Sequence, residues 1–394
     1  MTVAPPPAPA ARGDARPLTV VIVDDSAVQR RFARAAIEAD HDLRVVGEAR
    51  NGRDAVELVD RLRPSAVLMD LHLPVMNGIE AIERIMAIRP TPILVYSAFV
   101  DGDDRDNAAA ALAAGAVDVM EKPDGKQPPR ADGGLDAYAE TLRSRLRMAG
   151  RVKVITHPRA RLGGPVGAMS TRGLHSGQAA APCRLAASAP VTSLEGLRPR
   201  PVSVIAVGAS TGGPQALALV LSALPAELDA AVVVVQHMAD GFIEGLAGWL
   251  DSLCALPVRV GMNGRRLAPG TVTIAPDGRN LVVHDGLRVT TDAPPEGQHH
   301  VPGIDVTFGS VAAAAGASAV GVLLTGMGRD GAAGLKQMRD RGAFAIAQDE
   351  ESSAVYGMPA AAVALAAVDL QLPLADVGPA LLRLTGARAT EATS

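Results

Sequence analysis

The sequence predicts an α/β protein that is built from two doubly wound parallel-sheet domains. Short β-branched segments alternate with amphipathic helical segments, this alternation occurs twice, and a segment without apolar periodicity separates the two runs. A chain of 394 residues is also long enough for two domains of ordinary size. Hydrophobic residues make up 48% of the chain and aromatic residues only 2%, so we expect aliphatic cores.

The first alternation extends over residues 18–148. The segment LTVVIVD at its start is a continuous β-branched run, which is typical of a strand buried on both faces. In the next segment Val28, Phe32 and Ala36 recur every four residues, along one face of a helix. About five strand–helix units follow one another, and this succession predicts a doubly wound parallel sheet.

Residues 149–200 interrupt the pattern, and their composition turns to Gly, Pro, Ala, Ser and Arg. Such a segment buries too little apolar surface to offset the entropy of ordering, so we predict a flexible linker. It carries eight basic residues and one acidic residue, which leaves a basic patch for an acidic partner as the alternative. The ends of the chain, residues 1–17 and 389–394, are predicted to be disordered tails.

The second alternation extends over residues 201–388. Seven segments have the character of strands: VSVIAVG, AVVVVQ, VTIAP, LVVHD, LRVTT, AVGVLLT and FAIAQ. Three segments have the character of helices: PQALALVLSAL, GFIEGLAGWLDSL and GAAGLKQMRDRG. The order of these segments again predicts an α/β domain.

Charge and composition exclude several classes of protein. The formal net charge of −4 argues against electrostatic attraction to nucleic acid or to an anionic membrane. The chain has two cysteines, Cys183 and Cys254, and no Cys/His cluster with zinc-finger spacing. The N-terminus lacks the apolar stretch of a signal peptide, and polar or glycine residues break the long uncharged stretches. We therefore expect a soluble, cytoplasmic protein that neither binds nucleic acid nor inserts into a membrane.

Acidic and polar side chains follow the predicted strands of the first domain. Asp24 and Asp25 end the first strand and Asp70 ends the third, while Ser97 and Lys122 end the fourth and fifth. Because the carboxyl ends of parallel strands meet at one edge of a sheet, these side chains are expected to lie together. Crowded carboxylates suit Mg²⁺, and a carboxylate can accept a phosphoryl group. Each residue alone is more often a helix cap or a solvated loop charge.

The segment VSVIAVGASTGGPQAL predicts a strand, a tight turn and a helix, with Ser210 in the turn. Gly208, Ser210 and Gly212 fit the pattern G-x-S-x-G, in which small residues expose a nucleophilic hydroxyl. The positive end of the following helix would favour a developing oxyanion. A glycine-rich phosphate-binding turn is the alternative, although G-x-G-x-x-G is absent.

A nucleophilic serine needs a base, and the base needs an acid that orients it. His237 and Asp330 each follow a predicted buried strand, so both are expected at the same sheet edge as Ser210. A structural histidine and an N-cap aspartate are the alternatives for the two residues taken singly. The remaining histidines of this domain fit less well, since they occupy a hairpin-like segment or a polar loop: His284, His299 and His300. The order Ser, His, Asp differs from that of α/β-hydrolases.

The segments VDDSA, MDLHLPVMNG, YSA and EKP, in this order, resemble a response-regulator receiver domain. The resemblance implies a flavodoxin-like fold, Asp70 as phosphoacceptor, and a Mg²⁺ site made by Asp70 with Asp24 and Asp25. It further implies that Ser97 and Lys122 respond to phosphorylation, with a histidine kinase as phosphodonor. Two residues depart from the usual pattern: His72 stands where relatives usually carry an acid, and Val119 stands where many receivers have a switching aromatic residue.

The segments GASTGG, QHM, TGMGRDG and IDVTFGSVA resemble the catalytic domain of chemotaxis protein-glutamate methylesterases. The resemblance implies a serine hydrolase with the triad Ser210, His237 and Asp330, with Thr211 and Met327 near the oxyanion. Its substrates would be glutamate methyl esters and glutamines on the cytoplasmic domains of chemoreceptors, with a chemotaxis-type kinase as phosphodonor and no cofactor for the hydrolase. The receiver would control access to this site. A non-catalytic binding module and a transcription factor are the alternatives, and no helix-turn-helix pattern supports the latter.

Overall fold

A computed structural model of the chain describes residues 17–97, 102–123, 134–152, 192–298 and 300–387. The predicted tails, except for Pro17, and residues 153–191 of the predicted linker lie outside these ranges. Within the described ranges, no helix is both long enough and apolar enough to cross a lipid bilayer.

The first domain is a five-stranded parallel sheet in the order β2-β1-β3-β4-β5, the order of flavodoxin-like folds. The strands are β1 Leu18–Val23, β2 Leu43–Ala49, β3 Ala66–Met69, β4 Ile93–Ser97 and β5 Asp118–Glu121. The helices are α1 Ala27–Glu38, α2 Gly52–Leu62, α3 Gly78–Ile88, α4 Gly102–Ala114 and α5 Gly134–Ala149. Apolar clusters cover both faces of the sheet, as the uninterrupted β-branched strands predict.

Polar caps begin the first three helices of this domain close to the carboxyl ends of the strands. The side chains of Ser26, Asn51 and Asn77 each accept a hydrogen bond from a main-chain amide in the first turn of the helix that follows. These caps satisfy the first main-chain amides of the three helices beside the edge at which the strands end.

The second domain is a seven-stranded parallel sheet in the order β14-β13-β12-β6-β7-β9-β8, and β10 and β11 form a separate antiparallel hairpin. The strands are β6 Val204–Ala209, β7 Ala231–Gln236, β8 Val258–Val260, β9 Val272–Ile274, β10 Asn280–His284, β11 Arg288–Asp292, β12 Ala319–Leu323, β13 Phe344–Gln348 and β14 Leu370–Leu372. The helices are α6 Gly213–Ser222, α7 Ile243–Leu253, α8 Ile304–Ala315, α9 Ala332–Asp340, α10 Met358–Ala364 and α11 Leu374–Thr385. Both sheets confirm the predicted fold class.

Strand β6 is the point at which the strand order of the second sheet reverses. The chain passes from β6 to β7 on one side, and later returns to place β12 on the other side. A crevice opens at such a point outside the carboxyl ends of the strands, and ligands bind there in open α/β sheets. A ligand site is therefore expected at the residues that follow β6, β7 and β12.

The packed part of the second domain begins before residue 201, the boundary that composition predicts. The guanidinium of Arg200 donates to the carbonyls of Ala317 at 2.7 Å and Gly342 at 2.8 Å. Arg383 of α11 donates to the carbonyl of Leu194 at 2.9 Å, and Leu194 packs against the apolar core. Composition did not reveal this packing, because the contacts use main-chain carbonyls and a few isolated apolar side chains.

The two domains are in direct contact. Phe242, which precedes α7 in the second domain, is 3% exposed and lies in the apolar cluster of the first domain that contains Leu112 and Val119. Gln215 of α6 donates through Nε2 to the carbonyl of Leu112 at 3.1 Å and to that of Ala116. The contact thus combines a buried aromatic side chain with hydrogen bonds to main-chain atoms.

Candidate functional site

Ser210 lies in a tight turn directly after β6, at the carboxyl edge of the second sheet. Its amide donates to the carbonyl of Thr325 at 3.0 Å, which ties the turn to the end of β12. Gly212 has a φ of +76°, and a Cβ atom there would lie 2.4 Å from that of Ala354. A Cβ at Gly213 would lie 2.0 Å from Oε1 of Gln236. The turn that presents Ser210 therefore requires glycine at both positions.

Two main-chain amides beside Ser210 are available to a ligand. In the part of the chain that the structure describes, neither the amide of Thr211 nor that of Gly212 donates a hydrogen bond to the protein. Both precede α6, whose amino-terminal amides carry partial positive charge. Such a position can stabilise an anion.

His237 follows β7, the strand adjacent to β6, and is paired with Asp330. The His237 amide donates to the carbonyl of Ala209 at 3.0 Å, and Gln236 Nε2 donates to the carbonyls of Ser210 and His237, each at 2.8 Å. Nε2 of the His237 ring donates to Oδ2 of Asp330 at 2.8 Å. Since Nε2 carries the proton in this pair, Nδ1 is left as the basic nitrogen of a neutral ring.

Asp330 lies between β12 and α9 and is held by main-chain amides. Its Oδ2 accepts from the amide of Ile304 at 2.8 Å, and its Oδ1 accepts from that of Asp305 at 2.9 Å, so it also caps α8. Burial alone would raise the pKa of Asp330, but the hydrogen bonds from His237 and from these two amides outweigh it and hold the pKa below its ordinary value. The carboxylate is therefore ionised and fixed in place.

Asp305 was not predicted as a site residue from the sequence. It lies in α8 and caps α9, as Asp330 beside α9 caps α8. Its Oδ1 accepts from the amide of Gly334 at 2.6 Å, in the first turn of α9. Burial raises the pKa of this carboxyl group, and the nearby Asp330 adds to the effect. Helices α8 and α9 thus cap each other through Asp330 and Asp305. Asp305 is part of the segment IDVTFGSVA, which resembles the family. That its carboxylate caps α9 could not be identified from the sequence.

The structure brings His237 and Asp330 into contact but does not form the third link of the predicted triad. The Ser210 hydroxyl makes no hydrogen bond of 3.5 Å or less to the His237 ring, although the two residues follow neighbouring strands. Catalytic hydrogen bonds are often long before substrate binds. The polar loop contributes a residue that sequence reasoning set aside, since the His300 ring stacks on that of His237.

Thr211 and Met327 both touch the first domain. The Thr211 hydroxyl lies 3.8 Å from Sδ of Met148, and Sδ of Met327 lies 3.7 Å from the hydroxyl of Ser144. Met148 and Ser144 belong to α5, so this helix lies over two residues that flank the Ser210 turn. The first domain is therefore in contact with two residues beside the crevice.

The predicted acidic site of the first domain is assembled at the carboxyl edge of its sheet. Nζ of Lys122 lies 2.6 Å from Oδ2 of Asp70 and 2.7 Å from Oδ2 of Asp24. The Ser97 hydroxyl donates to Oδ1 of Asp70 at 3.0 Å. Four of the predicted residues are thus in direct contact through Asp70 and Lys122.

The carboxylates of Asp24, Asp25 and Asp70 can together hold a metal ion. One oxygen of each lies within 4.8 Å of the others, and such a set suits a hard divalent cation. Burial raises the pKa of Asp24, and Lys122 partly offsets this while the charge of Asp70 adds to it. A bound cation would relieve the repulsion between the two buried carboxylates.

The two departures from the receiver pattern have defined environments. His72 is exposed, its amide donates to Oδ1 of Asp70 at 3.3 Å, and its Nδ1 lies 3.5 Å from the Ser97 hydroxyl. Val119 is buried in the same apolar cluster as Phe242 of the second domain. The position of the usual switching aromatic residue thus belongs to the cluster that reaches the other domain.

Comparison with known proteins finds one family model in each half of the chain. A family model of the response regulator receiver domain matches residues 20–128, and one of the CheB methylesterase matches residues 205–381. Protein-glutamate methylesterase/protein-glutamine glutaminase 2 of Anaeromyxobacter dehalogenans is 42% identical over 375 residues, which are 95% of this chain and 98% of the relative. A relative from Geobacillus kaustophilus that bears the same name without a number is 37% identical over 378 residues, or 94% of this chain and 99% of the relative.

Solved structures match the two halves separately. The Thermotoga maritima CheB methylesterase catalytic domain is 34% identical with a TM-score of 0.44, covering 46% of this chain and 97% of that one. The response regulator domain of Thermotoga maritima CheB is 33% identical with a TM-score of 0.31, covering 35% of this chain and 99% of that one. The sequence relatives confirm the resemblance drawn from the motifs. The chain therefore belongs to the protein-glutamate methylesterase/protein-glutamine glutaminase family, with a receiver domain followed by a CheB methylesterase domain.

Proposed function

We propose that the chain is a phosphorylation-regulated serine hydrolase that demethylates glutamate methyl esters and deamidates glutamines on the cytoplasmic domains of chemoreceptors. The observation that carries the proposal is the His237–Asp330 pair at the sheet edge where Ser210 is presented. An ionised acid, an imidazole and a hydroxyl in this order are the parts of a hydrolytic triad. The names of the relatives supply the substrate class.

The reaction follows from the groups at this edge. Ser210 attacks the ester carbonyl while Nδ1 of His237 takes its proton, and Asp330 stabilises the imidazolium that forms. The imidazolium then protonates the leaving methoxide, and methanol departs. Water attacks the acyl-serine in the second half, which returns the proton to Ser210 and releases glutamate. A glutamine side chain reacts in the same way and releases ammonia.

The main-chain amides of Thr211 and Gly212 are our candidates for binding the oxyanion. They donate to no protein acceptor in the described ranges, and they lie at the amino terminus of α6. A single donor of this type contributes about 3–4 kcal/mol to transition-state stabilisation. Thr211 and Met327 would then mark the part of the site that α5 covers.

The test of the activity is methanol release from a methylated chemoreceptor fragment by the full chain. We expect methanol in amounts equal to the new glutamate carboxylates, and we expect ammonia from a fragment with glutamine at the same positions. Mass spectrometry of the fragment identifies the modified side chains. Absence of both products, with and without a phosphodonor, would favour the non-catalytic binding module.

Phosphorylation at Asp70 is proposed to loosen the contact between the domains. We expect an acyl phosphate with Mg²⁺ to raise the rate of methanol release by about 5–150-fold, the usual range for coupling between two sites. The variant Asp70→Asn keeps the size of the side chain but cannot form the acyl phosphate, so its rate should stay at the basal level. A rate that acyl phosphate leaves unchanged in the unsubstituted chain would contradict this gating.

Mg²⁺ held by Asp24, Asp25 and Asp70 would neutralise charge on the incoming phosphoryl oxygens. Chelation with EDTA is therefore expected to abolish the stimulation by acyl phosphate and to leave basal hydrolysis unchanged, because the proposed hydrolytic steps use no metal ion. Methanol release with and without EDTA, followed by added Mg²⁺, measures both effects. Full stimulation in the presence of the chelator would contradict a metal requirement.

A further inference from the structure

A second imidazole stands against the proposed base. The ring of His300 is stacked on that of His237, with centroids 4.9 Å apart and an angle of 11° between the planes. This spacing lies within the range of offset aromatic stacking. His300 belongs to the segment between β11 and α8, so it approaches His237 from a different element than Asp330 does.

The segment that carries His300 is held on both sides by one buried residue. Asn280, 2% exposed at the start of β10, exchanges two hydrogen bonds with the Gln298 side chain, at 2.8 and 2.9 Å. Its Oδ1 also accepts from the amide of Gly303 at 2.8 Å, and Gln298 donates to the carbonyl of His300 at 2.5 Å. These bonds hold the main chain at His300 and at Gly303, through a contact that is exposed at His300 and buried between Gly303 and Asn280.

We propose that His300 is a positioning residue that acts through His237. Its ring restricts rotation of the His237 imidazole and keeps Nε2 on Asp330, so that Nδ1 remains directed away from the acid and available to Ser210. When His237 accepts the serine proton, the stack has already set the orientation of its ring, so no rotation of the imidazole is needed at the moment of reaction.

The inference rests on the proposed function, and it is tested with three variants of the full chain. His300→Ala removes the ring, His300→Phe keeps an aromatic face without nitrogen atoms, and His284→Ala is the control. His284 is exposed on the hairpin, where its Nε2 pairs with the Thr290 hydroxyl at 2.9 Å. Methanol release is measured at pH 8, where an ordinary imidazole is uncharged, and thermal unfolding of each variant accompanies it.

We expect His300→Ala to lower kcat by about 5–30-fold with KM unchanged, because a base that is misaligned for part of the time slows the chemical step and leaves substrate binding intact. His300→Phe should recover most of the loss, and His284→Ala should match the unsubstituted chain. An unchanged kcat for His300→Ala would overturn the inference, as would equal losses for the Ala and Phe variants or a change confined to KM. Thermal unfolding shows whether His300→Ala also destabilises the fold. Such a destabilisation would not by itself explain why kcat recovers in His300→Phe.

A second measurement separates this inference from the proposed function. In NMR spectra the ring-proton resonances of His237, assigned with His237→Gln, should shift downfield in His300→Ala and much less in His300→Phe, because stacked rings shield one another. This result is expected whether or not the chain releases methanol. Absence of methanol release by the unsubstituted chain would refute the proposed function, whereas unmoved His237 resonances would refute the stack.

Discussion

The variant Ser210→Ala is expected to lose methanol release almost completely, with kcat lower by about 10⁴–10⁶-fold. The turn after β6 presents this hydroxyl at the sheet edge, and without it no acyl intermediate forms. The fold should persist, because the main-chain contact of Ser210 with Thr325 does not involve the hydroxyl. Steady-state rates on the methylated receptor fragment, with thermal unfolding as a second readout, measure both expectations.

The matched control for this variant is Ser222→Ala. Ser222 ends α6, and its hydroxyl donates to the carbonyl of Leu219 at 3.2 Å, away from the sheet edge. We expect the control to hydrolyse at the unsubstituted rate. Retention of hydrolysis by Ser210→Ala would rule out the serine mechanism, and parallel losses in the two variants would point to a general effect on the fold.

The variant Asp330→Asn is expected to lower kcat by about 10⁴-fold, as removal of the orienting acid does in other serine hydrolases. Asn keeps one acceptor oxygen, while Oδ1 and Oδ2 of Asp330 accept at least three hydrogen bonds between them. The NH₂ group of asparagine would therefore point at a donor, which is either Nε2 of the His237 ring or a main-chain amide of α8. The ring would then lose the partner that fixes its tautomer.

The same variant should change the pH dependence of stability. The pKa of Asp330 is held below its ordinary value in the folded state. The carboxylate therefore stabilises the fold fully at pH values above the pKa that Asp330 has in the unfolded chain. This contribution disappears as pH falls through the folded-state pKa, and Asp330→Asn removes it at all pH values. Urea unfolding at pH 7 and pH 3 should show a larger loss at pH 7.

Asp305→Asn serves as the control for both effects. Its Oδ1 accepts a hydrogen bond from the amide of Gly334, which an asparagine oxygen can also accept, and burial raises the pKa of Asp305 rather than lowering it. We expect near-normal kcat and no loss of stability at pH 7. A loss of kcat as large as that of Asp330→Asn would show that the two capped helices, and not the acid at His237, determine the rate.

Side chains that directly follow buried parallel strands can be placed from the sequence. Ser210, His237 and Asp330 lie at one sheet edge because β6, β7 and β12 are neighbours, and regular alternation is enough to predict such an edge. The same reasoning placed Asp24, Asp70 and Lys122 together in the first domain. The roles of these residues stay predictions until the variants are measured.

Other features depended on contacts that no local pattern encodes. Strand β8 has three residues and β14 has three, too few to show a period. The position of His300 depends on hydrogen bonds of Asn280, which lies 20 positions earlier in the chain. Phe242 precedes a helix of the second domain, yet it is buried in the first. Periodicity describes which face of an element is apolar, but it does not describe which neighbour covers that face.

The hydrogen bonds of Gln215 across the domain boundary have a consequence for how the two halves can diverge. Both acceptors are carbonyls at the end of α4 and in the segment after it, so the glutamine recognises the course of the main chain and no particular side chain. The side chains of Leu112 and Ala116 are buried in the receiver core, so the two carbonyls stay in place as long as that core is kept. Exposed side chains elsewhere on the receiver can therefore change over evolutionary time without altering this pair of bonds to the catalytic domain.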